Sequence, residues 1–202
     1  MTDSPPALNP SLVARVKGIL SNPSAEWGII RAEHQTIGSL FTGYAAILAA
    51  ISPICSLVAA VLYGQSVVAA VIGGVVGYIL SLVGVYILGI IIEMLAPSFG
   101  GTKDRLSAMK VAVYSSTATW VAGVFELLPG GLAALGIIGA LYSLYLLYLG
   151  LPRVMGAPQD KALGYTAVVI IAALVIWVII GSITGLLMVG FAASTVVAAG
   201  VR

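Results

Sequence analysis

The feature that most constrains this chain is an uncharged stretch, because residues 34–92 contain no Asp, Glu, Lys or Arg. A bilayer core about 30 Å thick is crossed by roughly 20 helical residues, so this stretch is long enough for two membrane spans. The sequence Tyr63-Gly64-Gln65-Ser66 lies near its middle and favours a turn, since glycine is flexible and glutamine is polar. The stretch therefore predicts a pair of spans joined by a short connection.

Two more apolar stretches follow. Glu126 is the only charged residue between Lys110 and Arg153, and Leu128-Pro129-Gly130-Gly131 is a strong turn signal that divides this part of the chain. Residues 162–201 are again uncharged, although their last part, 189–201, is too short to cross a bilayer independently. A sixth span is an open alternative if two short helices broken at glycine share this stretch. The predicted spans are 37–62, 66–92, 109–128, 132–151 and 164–188.

The length of these runs predicts helices, because a spanning β-strand needs only about ten residues of alternating polarity. The chain is 60% hydrophobic and only 8% charged, against roughly 25% charged residues in an average soluble domain. The predicted fold class is an all-α polytopic membrane protein. It consists of an amphipathic amino-terminal arm (1–36), a bundle of five transmembrane helices (37–188) and a short carboxy-terminal tail (189–202).

The cations predict the orientation of this bundle. With five spans, the loops on the side of the amino terminus hold every Lys and Arg except Arg202. These cations are Arg15, Lys17, Arg31, Lys103, Arg105, Lys110, Arg153 and Lys161. Since Lys and Arg are enriched in cytoplasmic loops, the amino terminus is expected in the cytoplasm and the carboxy terminus on the opposite side.

Two similar segments, Asn9-Pro10-Ser11 and Asn22-Pro23-Ser24, predict short helices in the arm, because Asn caps a helix and Pro suits its first turn. Arg15 and Lys17 lie beside the apolar face of the first helix, which suits an anionic membrane surface. In the second helix, Trp27 and Ile30 are expected to anchor the arm at the interface. Either a linker on the bilayer surface or a helix that docks a partner fits this pattern.

Composition excludes several functions. One cysteine, Cys55, allows no internal disulfide, and one histidine, His34, supports neither a metal cluster nor a catalytic triad. A formal net charge of +2 is too small for a nucleic-acid surface. The short connections leave no room for a soluble catalytic domain. We therefore expect no metal, no cofactor and no enzymatic activity, with the lipid bilayer as the main surroundings.

The polar residues within the spans are the candidate functional residues. A carboxylate in the membrane is costly unless it is paired, protonated or functional, and Glu93 is expected near the cytoplasmic end, within reach of Lys103 and Arg105. The hydroxyls of the third predicted span either join helices or line a solute path. Tyr145 is expected to pack in the bundle. The candidate polar residues are Glu93, Tyr114, Ser115, Ser116, Thr117 and Tyr145.

Small residues recur at the four-residue spacing that lets helices approach closely. Such faces fit contacts within one chain and contacts between chains, so a homo-oligomer is an open alternative. The glycines expected to serve helix packing are Gly73, Gly77, Gly84, Gly139, Gly181 and Gly185.

Several short motifs carry a family resemblance. They are Asn22-Pro23 followed by Glu26-Trp27, then Ser98-Phe99-Gly100-Gly101-Thr102-Lys103, Val113-Tyr114-Ser115-Ser116-Thr117, Tyr142 to Pro152, and Asp160-Lys161-Ala162. In order and spacing they resemble the bacterial branch of the Yip1 family. The resemblance implies five spans, a cytoplasmic amino terminus and the bacterial inner membrane. Relatives often have Pro after Tyr-Ser-Ser-Thr, whereas Ala118 stands here, so the helix kink in the third span is expected to be absent or weaker.

Two functional hypotheses follow. The first is a non-enzymatic membrane protein of the Yip1 type that organises the membrane or binds a membrane or cytoplasmic protein. The second is a channel or transporter for a small solute, an ion or a lipid, which would use Glu93 and the hydroxyls of the third span.

Overall fold

The fold is known from a computed structural model that describes residues 11–129 and 135–200, and every regular element in these residues is a helix. We number the helices α1 to α8 in chain order. They are α1 (Leu12–Ser21), α2 (Pro23–Ala32), α3 (Ile37–Leu62), α4 (Val67–Leu95), α5 (Arg105–Ser115), α6 (Thr117–Ala122), α7 (Gly136–Met155) and α8 (Gln159–Gly200).

Four of the helices in the described residues are long and apolar enough to cross a membrane: α3, α4, α7 and α8. They coincide with four of the predicted spans. The predicted break between the first two spans is also present, where Gly64 adopts a φ of +64° that suits a residue without a side chain. Residues 63–66 thus connect α3 to α4.

The region of the third predicted span, 109–128, is a chain of shorter elements: α5, α6 and the 3₁₀ turn Gly123–Leu127. This central segment begins beside the carboxy-terminal part of α4, where Arg105 pairs with Glu93. It ends beside the carboxy-terminal end of α3. There the hydroxyl of Tyr63, the residue that follows α3, donates to the carbonyl oxygen of Leu127 at 2.9 Å. We call the first region the arm end of the bundle and the second the far end. The central segment therefore reaches from one end of the bundle to the other.

The central segment is enclosed by the other helices. In α5, every residue from Ala108 to Ser115 is buried, and in α6 Thr117, Ala118, Trp120 and Ala122 are buried as well. The long helices α3, α4, α7 and α8 instead expose large apolar side chains outward, as surfaces that face lipid do. An interrupted helix is tolerated at membrane depth when protein surrounds it, because its backbone is then shielded from hydrocarbon.

Helix α8 runs antiparallel to α4. The Tyr165 hydroxyl donates to the Ile92 carbonyl at 2.5 Å at the arm end, and Met188 faces Gly73 at the far end. With 42 residues at 1.5 Å per residue, α8 is about 60 Å long. Residues 189–200 of the predicted tail continue this helix without a break, whereas residues 201–202 lie outside the described part.

Both predicted arm helices are present, with Ser11 and Asn22 as their N-caps. Their apolar side chains face the bundle, where Ile19, Trp27 and Ile30 are fully buried. The prediction that Trp27 and Ile30 anchor the arm in the membrane interface is therefore wrong. Periodicity reveals that a helix has an apolar face, but it does not reveal whether lipid or protein covers that face.

One close approach holds α2 against the bundle. The indole of Trp27 packs directly on the backbone of α7, where a Cβ built on Gly150 would lie 2.5 Å from the ring. Its Nε1 has no hydrogen-bond acceptor within the described part of the chain, so shape rather than polar pairing positions the side chain. Position 150 consequently requires glycine.

We expect Gly150→Ala to destabilise the protein, because overpacking a tight contact costs about 1–3 kcal/mol. The matched control is Gly28→Ala in α2, since a Cβ there meets nothing within 4 Å. Thermal unfolding in detergent, followed by circular dichroism, should show a lower midpoint for Gly150→Ala and no loss for Gly28→Ala. Equal midpoints for the two variants would contradict the packing of Trp27.

Candidate functional site

A cluster of charges joins the arm to the bundle. Arg15 of α1 is only 3% exposed and pairs with two carboxylates, those of Glu26 in α2 and Glu33 just after it. Its guanidinium lies 5.5 Å from the ring centroid of Tyr114 in α5, within range of a cation–π interaction. We call these residues, with Lys110, the junction. A buried charge is expensive unless it is paired and hydrogen-bonded, so Arg15 can be buried only while both arm helices stay in place.

Side chains of the bundle also cap the ends of the arm helices. Lys110 of α5 is buried and donates from Nζ to the carbonyl oxygens of Ile30 at 2.9 Å and Glu33 at 2.6 Å. The Tyr142 hydroxyl donates to the Leu20 carbonyl at 2.8 Å. The last carbonyls of a helix lack partners within the helix, and a cation there also complements the helix dipole. Each arm helix thus obtains a terminal partner from the bundle.

Next to the junction, Tyr44 and Tyr114 pack against each other between α3 and the central segment. The rings of Tyr44 and Tyr114 meet edge to face, with centroids 4.7 Å apart. The Tyr44 hydroxyl is 2.8 Å from Thr117 Oγ1, and Gln35 Nε2 donates to the Tyr114 hydroxyl at 3.2 Å. These contacts place Tyr44, Tyr114 and Thr117 in a polar layer that separates the arm from the interior. We call these three residues the tyrosine layer.

The two serines of the same motif bond locally. Both Ser115 and Ser116 donate to the Ala112 carbonyl, at 3.2 and 2.9 Å. Such back-bonding often bends helices, and the helix is interrupted at Ser116. The interruption at Ser116 thus occurs with Ala118, not proline, two residues later. Ser116 also lines a hollow between the helices, and Tyr114 lines a smaller hollow of about 160 Å³ beside Arg15 and Glu33.

Glu93 lies at the arm end, where it is mostly buried and pairs with Arg105. Nearby, the Asp104 side chain caps α5 by accepting from the backbone N–H of Ser107 at 2.8 Å. Hydrogen bonding from Ser107 is the main cause that holds the pKa of Asp104 below its ordinary value. This contribution to stability is present above about pH 3.9 and is lost as the pH falls through the lowered pKa.

A hollow of about 630 Å³ lies toward the far end of the bundle. We call it the far-end cavity. Its wall includes small residues of α4, the hydroxyls of Ser52, Ser81 and Thr119, and the carboxylate of Glu126. Glu126 accepts a hydrogen bond from Ser52 and is only partly exposed. Glu126 is therefore part of the cavity wall and not a fully solvated carboxylate.

The small residues divide into two groups. Gly84 and Gly139 lie at tight helix contacts, against Ile180 and against Ala118 and Ala122 respectively, and Gly73 faces Met188. At Gly77, Gly181 and Gly185, a Cβ would meet nothing within 4 Å, so these glycines leave room on the chain's own surface. Tyr145 is 46% exposed and contacts the ring of Tyr142 at 5.5 Å.

The sequence reasoning missed the junction and the far-end cavity. A signal for the junction existed, because Arg15 stands at helical spacing next to Val16 and Ile19 on the apolar face of α1 and so is unlike a surface cation. Glu126 carried a signal too, as the only carboxylate between Lys110 and Arg153. What the sequence could not give was the distance in space between Arg15, Glu33 and Tyr114.

Helices of this length and polarity define a polytopic helical membrane protein, and the comparisons give its family. The family model described as Yip1 domain matches residues 17–180, so this chain belongs to the Yip1 domain family. It is similar to Inner membrane protein YohC of Escherichia coli strain K12 and of Escherichia coli O6:H1 strain CFT073. Each is 26% identical over 167 residues, which cover 77% of this chain and 86% of the relative. No solved structure matches the chain significantly.

The junction predicts a sharp difference between two cations of α1. Arg15→Met should release the arm from the bundle, because removing one partner of a buried ion pair costs roughly 3–5 kcal/mol. Lys17→Met is the matched control, since Lys17 is exposed. Hydrogen exchange of residues 12–32 should become much faster in Arg15→Met and remain unchanged in Lys17→Met. Equal protection in the two variants would show that the arm is held by its apolar contacts alone.

Proposed function

We propose that this Yip1-family protein is an inner membrane protein with five spans and a cytoplasmic amino terminus. The central segment supports the fifth crossing because it contacts α4 at the arm end and α3 at the far end. Every Lys and Arg in the described residues belongs to the arm or to the arm end, which agrees with a cytoplasmic location for that end. The similarity to YohC supports the inner membrane.

Five crossings predict that the two termini lie on opposite sides of the membrane. A reporter active only in the cytoplasm should function when fused before Met1 and fail when fused after Arg202. A reporter active only in the periplasm should give the reverse result. Activity of both fusions in the same compartment would contradict the five-span arrangement.

We further propose that the arm is a rigid binding surface for a protein partner with an acidic surface. The observation that carries this proposal is the junction. Arg15 pairs internally with both Glu26 and Glu33, whereas Lys17 and Arg31 are exposed and have no ion pair among the described residues. Since the apolar side of each arm helix is already covered by the bundle, the outer side is the one available to a partner.

The outer side of the arm also carries apolar anchors. Val13 is 72% exposed and Ile29 is 50% exposed, and each lies on the same helix as one of the two free cations. Apolar anchors with neighbouring charge are the usual composition of a binding surface, in which burial supplies affinity and charge supplies orientation. A surface held in one conformation also loses less entropy on binding than a free arm.

A photo-crosslinking amino acid at position 13 tests this role in cells. We expect a discrete protein product that disappears when Lys17 and Arg31 are both changed to Glu, because the acidic partner is then repelled. Lys161→Glu, at the start of α8, controls for a general effect of charge at the arm end. A product that survives the double change would contradict the proposal, as would crosslinking to lipid only.

A second candidate function is passage of a small solute, which the far-end cavity favours. The cavity shares Thr119 and Trp120 with a second hollow of about 320 Å³ that reaches Ser116. Glu93 and Tyr114 line neither hollow, so a path through the protein would use Glu126 and Ser116 instead. The tyrosine layer and the junction lie between these hollows and the arm end and would have to open.

If solute passes by this route, protein in liposomes should give a flux that falls at least tenfold in Ser116→Val. The side chain of Ser116 would be replaced by an apolar group of similar size, which removes a hydrogen-bonding group from the path. Ser115→Val is the control, because Ser115 bonds only locally and lines neither hollow. Unchanged flux in Ser116→Val would exclude this path.

A further inference from the structure

The far end of the bundle contains a carboxylate that has no cation beside it among the described residues. Glu126 is partly buried, and its carboxylate accepts hydrogen bonds from the hydroxyls of Ser52 and Ser56. Among the described residues, every Lys and Arg lies in the arm or at the arm end. The other carboxylates near the membrane differ in this respect, since Glu93 pairs with Arg105 and both arm carboxylates pair with Arg15.

This difference has an energetic consequence. An ionised carboxylate that is partly removed from water and has no opposite charge is unfavourable, and it is stabilised when a cation comes within a few ångströms. The two serine hydroxyls supply hydrogen bonds but no charge. A cation that binds from outside the protein would therefore stabilise the carboxylate of Glu126.

The cavity indicates what kind of cation fits. About 630 Å³ is within the range of small-molecule sites and far exceeds the space of a bare metal ion. Calcium and magnesium need several oxygen ligands including carboxylates, and the described residues contain no cluster of three metal-binding side chains. A single carboxylate with hydroxyls and apolar walls suits an organic cation better.

The walls supply the remaining contacts. Trp120 lines the cavity and donates from Nε1 to Ser81 Oγ at 3.0 Å. Indole attracts ammonium groups, including methylated ones, through its π electrons. Gly73, Gly74 and Gly77 of α4 also line the cavity, and the open space at Gly77, where a Cβ would meet nothing within 4 Å, leaves room for an apolar body.

Access to the carboxylate comes from the far end. A neighbouring hollow of about 510 Å³ shares Ser56, Gln65 and Glu126 with the far-end cavity and continues to Tyr63 and Leu128. Glu126 thus stands where the two hollows meet. A cation that arrives at the far end encounters this carboxylate without crossing the tyrosine layer.

We propose that the far-end cavity is a binding site for an organic ammonium group, with Glu126 as its counter-charge. The ammonium group belongs either to a free amine or to a lipid headgroup. The inference concerns binding alone, so it stands independently of the partner role of the arm and of solute passage. A failed crosslinking or flux experiment would leave it intact.

Choline is the probe, and 3,3-dimethylbutanol, which has the same shape without the charge, is its matched control. The protein is placed in phosphatidylglycerol nanodiscs and in phosphate buffer, so that neither lipid nor buffer contains an amine. Equilibrium dialysis with labelled choline should show saturable binding, at least tenfold tighter than that of the neutral analogue. Equal binding of the two compounds, or no binding of choline, would overturn the proposal.

Variants locate the site. Glu126→Gln should weaken choline binding at least tenfold, whereas Asp160→Asn, an exposed carboxylate at the start of α8, should leave it unchanged. Glu126→Asp keeps the charge and should retain measurable binding, which identifies the carboxylate even if the Gln variant folds poorly. Unchanged affinity in a monodisperse Glu126→Gln protein would overturn the assignment.

The lipid composition distinguishes the two sources. If phosphatidylethanolamine in the nanodisc competes with choline, the site takes a lipid ammonium group. If choline binding is the same with and without phosphatidylethanolamine, the site takes a free amine. If phosphatidylethanolamine still competed with the residual choline binding of Glu126→Gln, the lipid would bind at a site that does not involve Glu126. That result would contradict the proposal.

Discussion

The structure depends on the enclosure of a polar, interrupted segment by apolar helices. A membrane offers the backbone no water, so each N–H and C=O at membrane depth needs a partner within the protein. The central segment, residues 105–127, breaks at Ser116 and ends in a 3₁₀ turn, which would be unfavourable against lipid. Because α3, α4 and α7 pack against it, the break is tolerated and its side chains become available for polar contacts.

The same enclosure makes the two ends of the protein different. At the arm end, Lys110 projects from the central segment to the carbonyls of α2, and Arg15 pairs beneath it with two carboxylates. At the far end, Glu126 of the central segment has two hydroxyl partners and, in the part of the chain that the structure describes, no cation. The central segment thus carries Lys110, which binds the arm at one end, and Glu126, which lines the far-end cavity at the other. The proposed partner surface and the proposed ammonium site follow from this asymmetry.

Much of the fold could be predicted from the sequence because the relevant signals are local. Uncharged length gave the four long helices, Gly64 and its neighbours gave the first connection, and Asn22 gave the start of α2. Whether lipid or protein covers an apolar helix face could not be predicted. Trp27 is compatible with an anchor in the membrane interface and with a buried contact, and its position against Gly150 in the structure distinguishes the two.

The candidate site was harder to predict for the same reason. The motif Tyr114 to Thr117 was identified, but its serines bond to their own helix while Tyr114 and Thr117 contact α3 and the arm. The partners of Arg15 and Glu126 come from residues 11 to 74 positions away in the chain. Spacing along one helix carries no information on contacts at such separations.

The central claim is that residues 105–127 cross the membrane inside the bundle. Single cysteines at Lys103 and at Leu128, each in a Cys55→Ala background, flank this segment and lie on exposed positions. In intact spheroplasts, a membrane-impermeant maleimide should label the cysteine at position 128 and should label the one at position 103 only after the membrane is opened. Labelling of both positions from the same side would contradict the crossing and the account built on it.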